Sequence, residues 1–123
     1  MKDLKILVVD DNQSFCVGIE RIFRAQGYPR IFSVNNPCQA LEAIRRDPPD
    51  VIFLDLNLPG MDGLQLLTAI RKINRNIRTF MVTCEASEEC EEAAVNLGAV
   101  DYLVKPLELT ALCASLEERL SHT

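Results

Sequence analysis

No run of apolar residues in the sequence approaches the roughly 18 needed to span a bilayer. No leader is visible either, because Met1-Lys2-Asp3 leads directly into an apolar, strand-like segment. Together these absences predict a cytoplasmic chain without membrane contact. Positive charge is in deficit: 13 basic residues against 18 acidic ones leave a formal net charge of -5. That balance argues against binding of a nucleic-acid backbone by this chain alone. Among Cys16, Cys38, Cys84, Cys90 and Cys113 no spacing is C-x-x-C, and five is odd. Buried, reduced thiols are expected rather than a disulfide framework or a zinc site. Histidine is confined to His122, next to the end, where an exposed tail residue is expected. The glycine-rich fingerprints of nucleotide sites are missing after the first apolar run, and two aspartates stand in their place.

What is present is the composition of an ordinary globule. The chain has 123 residues, 48% hydrophobic and 25% charged, which predicts one domain over 1–123 with a real core. It is organised around residues 51–58, V-I-F-L-D-L-N-L. This short apolar run lies between Pro48-Pro49-Asp50 and Pro59-Gly60, as a strand buried on both faces would, and it reaches Asp55 at its carboxyl end. Residues 58–63 read as a loop. Further strands are expected over 4–9, ending at Asp10-Asp11; over 31–34; over 78–82, ending at Thr83; and over 102–104, ending at Lys105-Pro106.

Helical spacing fills the gaps. Phe15, Ile19, Ile22 and Phe23 mark the first helix, with Gly27 at its carboxyl cap. Asn36 caps the second, with Pro37 at the first position, Gln39 three residues after the cap, and Leu41 and Ile44 facing inward. Leu64, Leu67, Ile70 and Ile73 mark the third. Ser87 starts the fourth, with Glu88 and Glu89 in its first turn, Cys90, Ala93, Ala94 and Leu97 as its buried stripe, and Gly98 as its stop. Leu109, Leu112, Leu116 and Leu120 mark the fifth. Five strands alternating with five helices predict an α/β fold with a parallel sheet covered on both faces.

The first polar residue after each apolar run should lie at the carboxyl rim of such a sheet, where open α/β sheets bind ligands. Asp10, Asp11, Asp55, Thr83 and Lys105 meet that description. Singly, each has a bland reading as a turn, a cap or a solvated lysine. Together, four strand ends deliver one chemistry. Three carboxylates in one crevice repel and raise one another's pKa values. A hard divalent cation relieves them, and oxygen ligands of this kind suit Mg2+. With the metal and Lys105 present, three positive charges offset the three carboxylates, so the site no longer repels a phosphoryl dianion. Asp55 is then the candidate nucleophile, forming an aspartyl phosphate. Lys105 and the metal would neutralise the equatorial oxygens, and Thr83 would donate a hydrogen bond.

These residues resemble the receiver domain of two-component response regulators. The resemblance rests on Val8-Val9-Asp10-Asp11-Asn12, Pro49-Asp50-Val51-Ile52-Phe53-Leu54-Asp55, Pro59-Gly60-Met61-Asp62-Gly63, Val82-Thr83, and Gly98-Ala99 leading to Tyr102-Leu103-Val104-Lys105-Pro106. It covers essentially the whole chain. It implies a flavodoxin-like (βα)5 fold with strand order 2-1-3-4-5. It also implies a phosphorelay role, in which a sensor histidine kinase or a histidine phosphotransfer protein passes a phosphoryl group to Asp55. His122 is not the donor. Asp11 and Asp55 match direct Mg2+ ligands, Asp10 acts largely through water, and Asn57 through its backbone carbonyl. Lys105 and Thr83 match the phosphoryl-contacting pair, Tyr102 the aromatic switch residue, and Lys105-Pro106 a cis bond. Asn57 and Glu85 match positions flanking the attacking water.

The implied output is a change in the face formed by the fourth helix, fifth strand and fifth helix. That face would meet a target protein, an attached output domain, or a second copy in a phosphorylation-dependent dimer. Such a module is not an enzyme with a separate substrate; it catalyses only its own phosphorylation and dephosphorylation. Cys84 departs from the pattern, because a smaller residue usually follows the threonine; its backbone N–H is still expected to face the phosphoryl group. Two other classes compete. A phosphate-ester hydrolase of the haloacid dehalogenase kind wants a second Asp two residues after the first, where this chain has Asn57. A receiver-like adaptor acting without phosphorylation usually loses an acid, the threonine or the lysine, and this chain keeps them all.

Overall fold

The computed structural model describes residues 2–121, and the expectation for His122 lies outside them. Five strands alternate with five helices: β1 (Ile6–Val9), α1 (Gln13–Ala25), β2 (Ile31–Val34), α2 (Pro37–Arg46), β3 (Val51–Leu54), α3 (Gly63–Ile73), β4 (Arg78–Thr83), α4 (Glu88–Asn96), β5 (Asp101–Val104) and α5 (Leu109–Ser121). The strands form one sheet in the order β2-β1-β3-β4-β5, with every pairing parallel. This is the flavodoxin-like 2-1-3-4-5 arrangement that the resemblance implied.

The central strands β1 and β3 are buried along their whole length because helices cover both faces. Leu7, Val9, Ile52 and Leu54 pack with residues of α2, α3 and α4 on one side. Ile6, Val8, Val51 and Phe53 pack with α1 and α5 on the other. On that second side a row of rings runs from Tyr28 through Phe23 and Phe53 to Phe80, with centroids 5.7, 5.6 and 5.5 Å apart. Rings at these separations and tilts add edge-to-face attraction to their burial.

Several boundaries differ from those read along the chain. β1 begins at Ile6 rather than Leu4, because Lys5 is held by Asp50 and Asp47 at the amino edge. Residues 51–58 are not one strand. After Asp55 the chain enters a small antiparallel hairpin, Asn57–Leu58 against Met61–Asp62. Pro59 and the left-handed Gly60 (φ 82) supply the two central residues of a tight turn. Asn36 caps α2 by accepting from the Gln39 N–H. The reciprocal exchange forms at α3, where Asp62 accepts from the Gln65 N–H and the Gln65 side chain accepts from the Asp62 N–H. In α4 only Ala94 is fully buried, with Cys90, Ala93 and Leu97 half-buried. The thiols are all free, but only Cys16 and Cys113 are buried; Cys38 and Cys84 are exposed. Cys38 sits in the first turn of α2 beside the buried Pro37, and Cys84 lies just past the end of β4. Among the described residues no helix is long and apolar enough to cross a membrane.

The ring row yields a stability test. Phe53 is 1% exposed and central to the row, so Phe53→Ala should cost about 3–5 kcal/mol in urea unfolding. Phe32, 48% exposed on β2, should lose no more than about 0.5 kcal/mol on the same change.

Candidate functional site

Register alone brings the rim residues together. Val9 lies opposite both Val34 and Leu54, and Leu54 opposite Met81. Asp10 and Asp55 therefore leave adjacent central strands at the same level, and the Asp55 N–H donates to the Val9 carbonyl at 2.9 Å. β4 runs on to Thr83, which pairs with Val104. The next residue, Lys105, donates its backbone N–H to the Thr83 carbonyl at 2.7 Å and forms a cis bond to Pro106.

Asp10, Asp11 and Asp55 each offer a carboxylate oxygen, and these oxygens lie within 4.8 Å of one another. Asp10 and Asp55 are buried, at 2% and 8% exposure, while Asp11 is exposed. The Lys105 ammonium reaches into this cluster. It lies 2.5 Å from Asp10 Oδ2 and 3.8 Å from Asp55 Oδ2, with the Phe15 ring 4.1 Å away. Burial pushes the Asp10 carboxyl above its ordinary pKa, opposed by hydrogen bonds from Lys105 and the Asn12 N–H and reinforced by the Asp55 charge. One cation among three acids leaves a local negative surplus. An all-oxygen donor set of this spacing fits a hard divalent cation. Asn57 and Asp11 line one cleft beside the hairpin.

Thr83 and Tyr102 form a second group. Thr83 is fully buried, and its Oγ1 accepts from the Glu85 N–H at 3.3 Å. The Tyr102 ring is turned inward, 7% exposed, and its hydroxyl donates to the Glu85 carbonyl at 2.6 Å. Burial pushes this phenol above its usual pKa. The two side chains thus bind the two backbone groups of one residue.

Two contributors escape a reading of the sequence. Phe15 has the spacing of a core residue, yet its ring face carries the Lys105 cation. Gly63 looks like loop punctuation, but it is buried beneath the acid cluster. Its N–H donates to the Leu56 carbonyl at 2.6 Å. A Cβ there would stand 2.4 Å from the Asp55 carbonyl oxygen and 2.6 Å from Leu56 Cα, both backbone atoms. The sequence signal was the small residue directly after the cap Asp62.

Known proteins share this fold. The family model for the response regulator receiver domain matches residues 6–117. The chain is 37% identical over 122 residues to transcriptional regulatory protein ZraR of Klebsiella oxytoca, covering 99% of this chain and 27% of that protein. It therefore spans about a quarter of that relative's length. It is 30% identical over 120 residues to sporulation initiation phosphotransferase F of Bacillus subtilis, covering 98% of this chain and 96% of that one. The crystal structure of a CheY-like response regulator receiver domain protein from Methanospirillum hungatei superposes with a TM-score of 0.92 at 28% identity. That match covers 98% of this chain and 95% of the other.

The packing at Gly63 can be probed directly. Gly63→Ala should destabilise the fold by about 1–3 kcal/mol, the usual cost of overpacking. It should also shift the amide resonances of Asp55 and Leu56. An unfolding midpoint equal to that of the unaltered chain would show that the backbone beneath the acids yields freely.

Proposed function

The chain belongs to the response regulator receiver domains, and from that premise we propose that it accepts a phosphoryl group on Asp55 and signals through a change of surface. The observation that carries this reading is three carboxylates within 4.8 Å of one another around a lysine that reaches two of them. A carboxylate oxygen of Asp55 attacks the phosphorus of a phosphohistidine on a sensor histidine kinase or histidine phosphotransfer protein. The P–N bond breaks, and the imidazole leaves with its electron pair.

Asp11 and Asp55, with Asp10 largely through water and the Asn57 backbone carbonyl, would hold Mg2+. When bound, the ion supplies positive charge that offsets the acids and the phosphoryl oxygens. Lys105 swings its ammonium from Asp10 toward a phosphoryl oxygen, a short movement given its 3.8 Å separation from Asp55. The Phe15 ring supports that cation. Thr83 donates its hydroxyl proton to a further oxygen. Asn57 and Glu85 orient the water that later hydrolyses the acyl phosphate.

The same event moves the surface. Phosphorylation adds charge and acceptor oxygens at Asp55, which draw Thr83 away from Glu85. Because Tyr102 holds the other side of Glu85, the ring and the segment leading into α4 respond together. The ring is already inward here, and the phosphoryl group holds that state against an outward one, with the α4-β5-α5 face following. In this reading residues 1–123 form a single cytoplasmic receiver module. It acts on a target or an attached output domain and has no substrate beyond its own aspartate.

Two outcomes test the site. After acetyl phosphate and Mg2+, mass spectrometry should find one phosphoryl group on the unaltered chain and none on Asp55→Asn; full modification of the variant would overturn the acceptor. Thr83→Ala should still be phosphorylated but lose most of the beryllofluoride-induced amide shifts over residues 88–116, and shifts of undiminished size would break the Thr83 link. Separately, a titration should show Mg2+ binding lost in Asp11→Ala, because a direct ligand and a full charge are both removed. Equal affinity would remove Asp11 from the metal site.

A further inference from the structure

α4 carries chemistry that its own helix does not require. Four of its nine residues are glutamates, and its last turn has no basic residue. Ser87 caps the helix by accepting from the Cys90 N–H, and Glu88, Glu89 and Glu91 in the first turn suit the helix dipole. Glu92 lies beyond that turn. Like charges three and four apart, Glu88 with Glu91 and Glu92, oppose the helix. Positions 88, 91, 92 and 95 follow i, i+3, i+4 and i+7, so they form one stripe. All four are exposed, and Val95 is 51% exposed.

The helix that bears this stripe borders β5. α4 packs against that strand, and the Glu91 charge acts on the Tyr102 phenol. Val104, two residues beyond Tyr102 and so on the same face of the edge strand, is 39% exposed. Among the described residues no ion pair engages any of the four glutamates, and the cation of Arg119 is taken by Asp101 at 3.0 Å.

We propose that this α4-β5 stripe docks a partner protein through a basic, amphipathic segment. Lysine or arginine side chains answer the glutamates, and an apolar side chain covers Val95 and Val104. The inference rests on the signalling face described above and adds the chemistry of its partner. A second copy is disfavoured, because a two-fold contact of this face with itself sets acids opposite acids.

The test uses the whole chain, 15N-labelled, with Mg2+ and beryllofluoride. It is titrated with a synthetic amphipathic helix of leucine and lysine and with the glutamine and glutamate counterparts of that peptide. The lysine peptide should bind about tenfold tighter than the glutamine one, lose affinity with salt, and shift residues 88–95 and 102–104. Glu91→Gln/Glu92→Gln should weaken it about fivefold, whereas Asp3→Asn/Glu42→Gln, which removes equal charge elsewhere, should not. Equal binding of the three peptides, shifts centred on Asp10 and Asp11, or equal losses in both double variants would overturn the proposal. So would dimerisation of the activated chain through α4 in sedimentation. Beryllofluoride shifts on α4 and β5 without peptide judge the signalling face separately. If they occur while the peptides are not distinguished, that face stands and the basic partner falls.

Discussion

The buried ion pair between Lys105 and Asp10 joins residues 95 positions apart, and much of the molecule is arranged to make it. Asp10 leaves β1 near the middle of the sheet, and Lys105 leaves β5 at its edge. They meet only because β3 and β4 lie between with matched register. Removing one partner of such a pair leaves an uncompensated charge in a poorly solvated place, which is costly. The pair also sets the electrostatic character of the rim. One ammonium faces three carboxylates, so the cluster remains short of positive charge. A carboxylate cluster left in that condition suits a hard divalent cation.

The elements around the rim differ in how firmly they are held. α3 buries Gly63, Leu66, Leu67 and Ile70 and begins with a two-way cap. Its first residue presses against the backbone of Asp55 and Leu56. That contact fixes the acid cluster from below and leaves no room for a side chain. α4 buries only Ala94 completely. It connects to the rim through Glu85, whose two backbone groups are shared between Thr83 and Tyr102. Segments with few buried apolar contacts open at low free-energy cost. A rigid acid cluster beside a lightly anchored helix is a physical basis for turning a charge event into a surface change. The acidic stripe lies on that same lightly held helix.

Relatives that extend well beyond this chain's length place the receiver within a longer regulator, as in ZraR. A relative of nearly equal length exists as well, in sporulation initiation phosphotransferase F.

Much of this was legible along the chain. The apolar runs before Asp10, Asp55, Thr83 and Lys105 located the strands, and their polar successors located the rim. This works because a strand buried on both faces must end where polarity begins. The caps Asn36 and Ser87 were legible for a similarly local reason, since a side-chain oxygen satisfies an amide only three residues away. Other features depend on contacts between segments that no local pattern encodes. The break of residues 51–58 into strand and hairpin follows from the Pro59-Gly60 turn pairing with Met61 and Asp62. The exposure of Cys38 and Cys84 depends on which side of the packed layers each falls. Phe15 carries the lysine, Gly63 supports Asp55, and Glu85 links Thr83 to Tyr102 only once five strands have aligned. Which residues reach the rim can be read along the chain, because burial and chain reversal are local demands. Which of them touch was decided by the tertiary structure, because strand register and helix packing set distances between residues far apart in the chain.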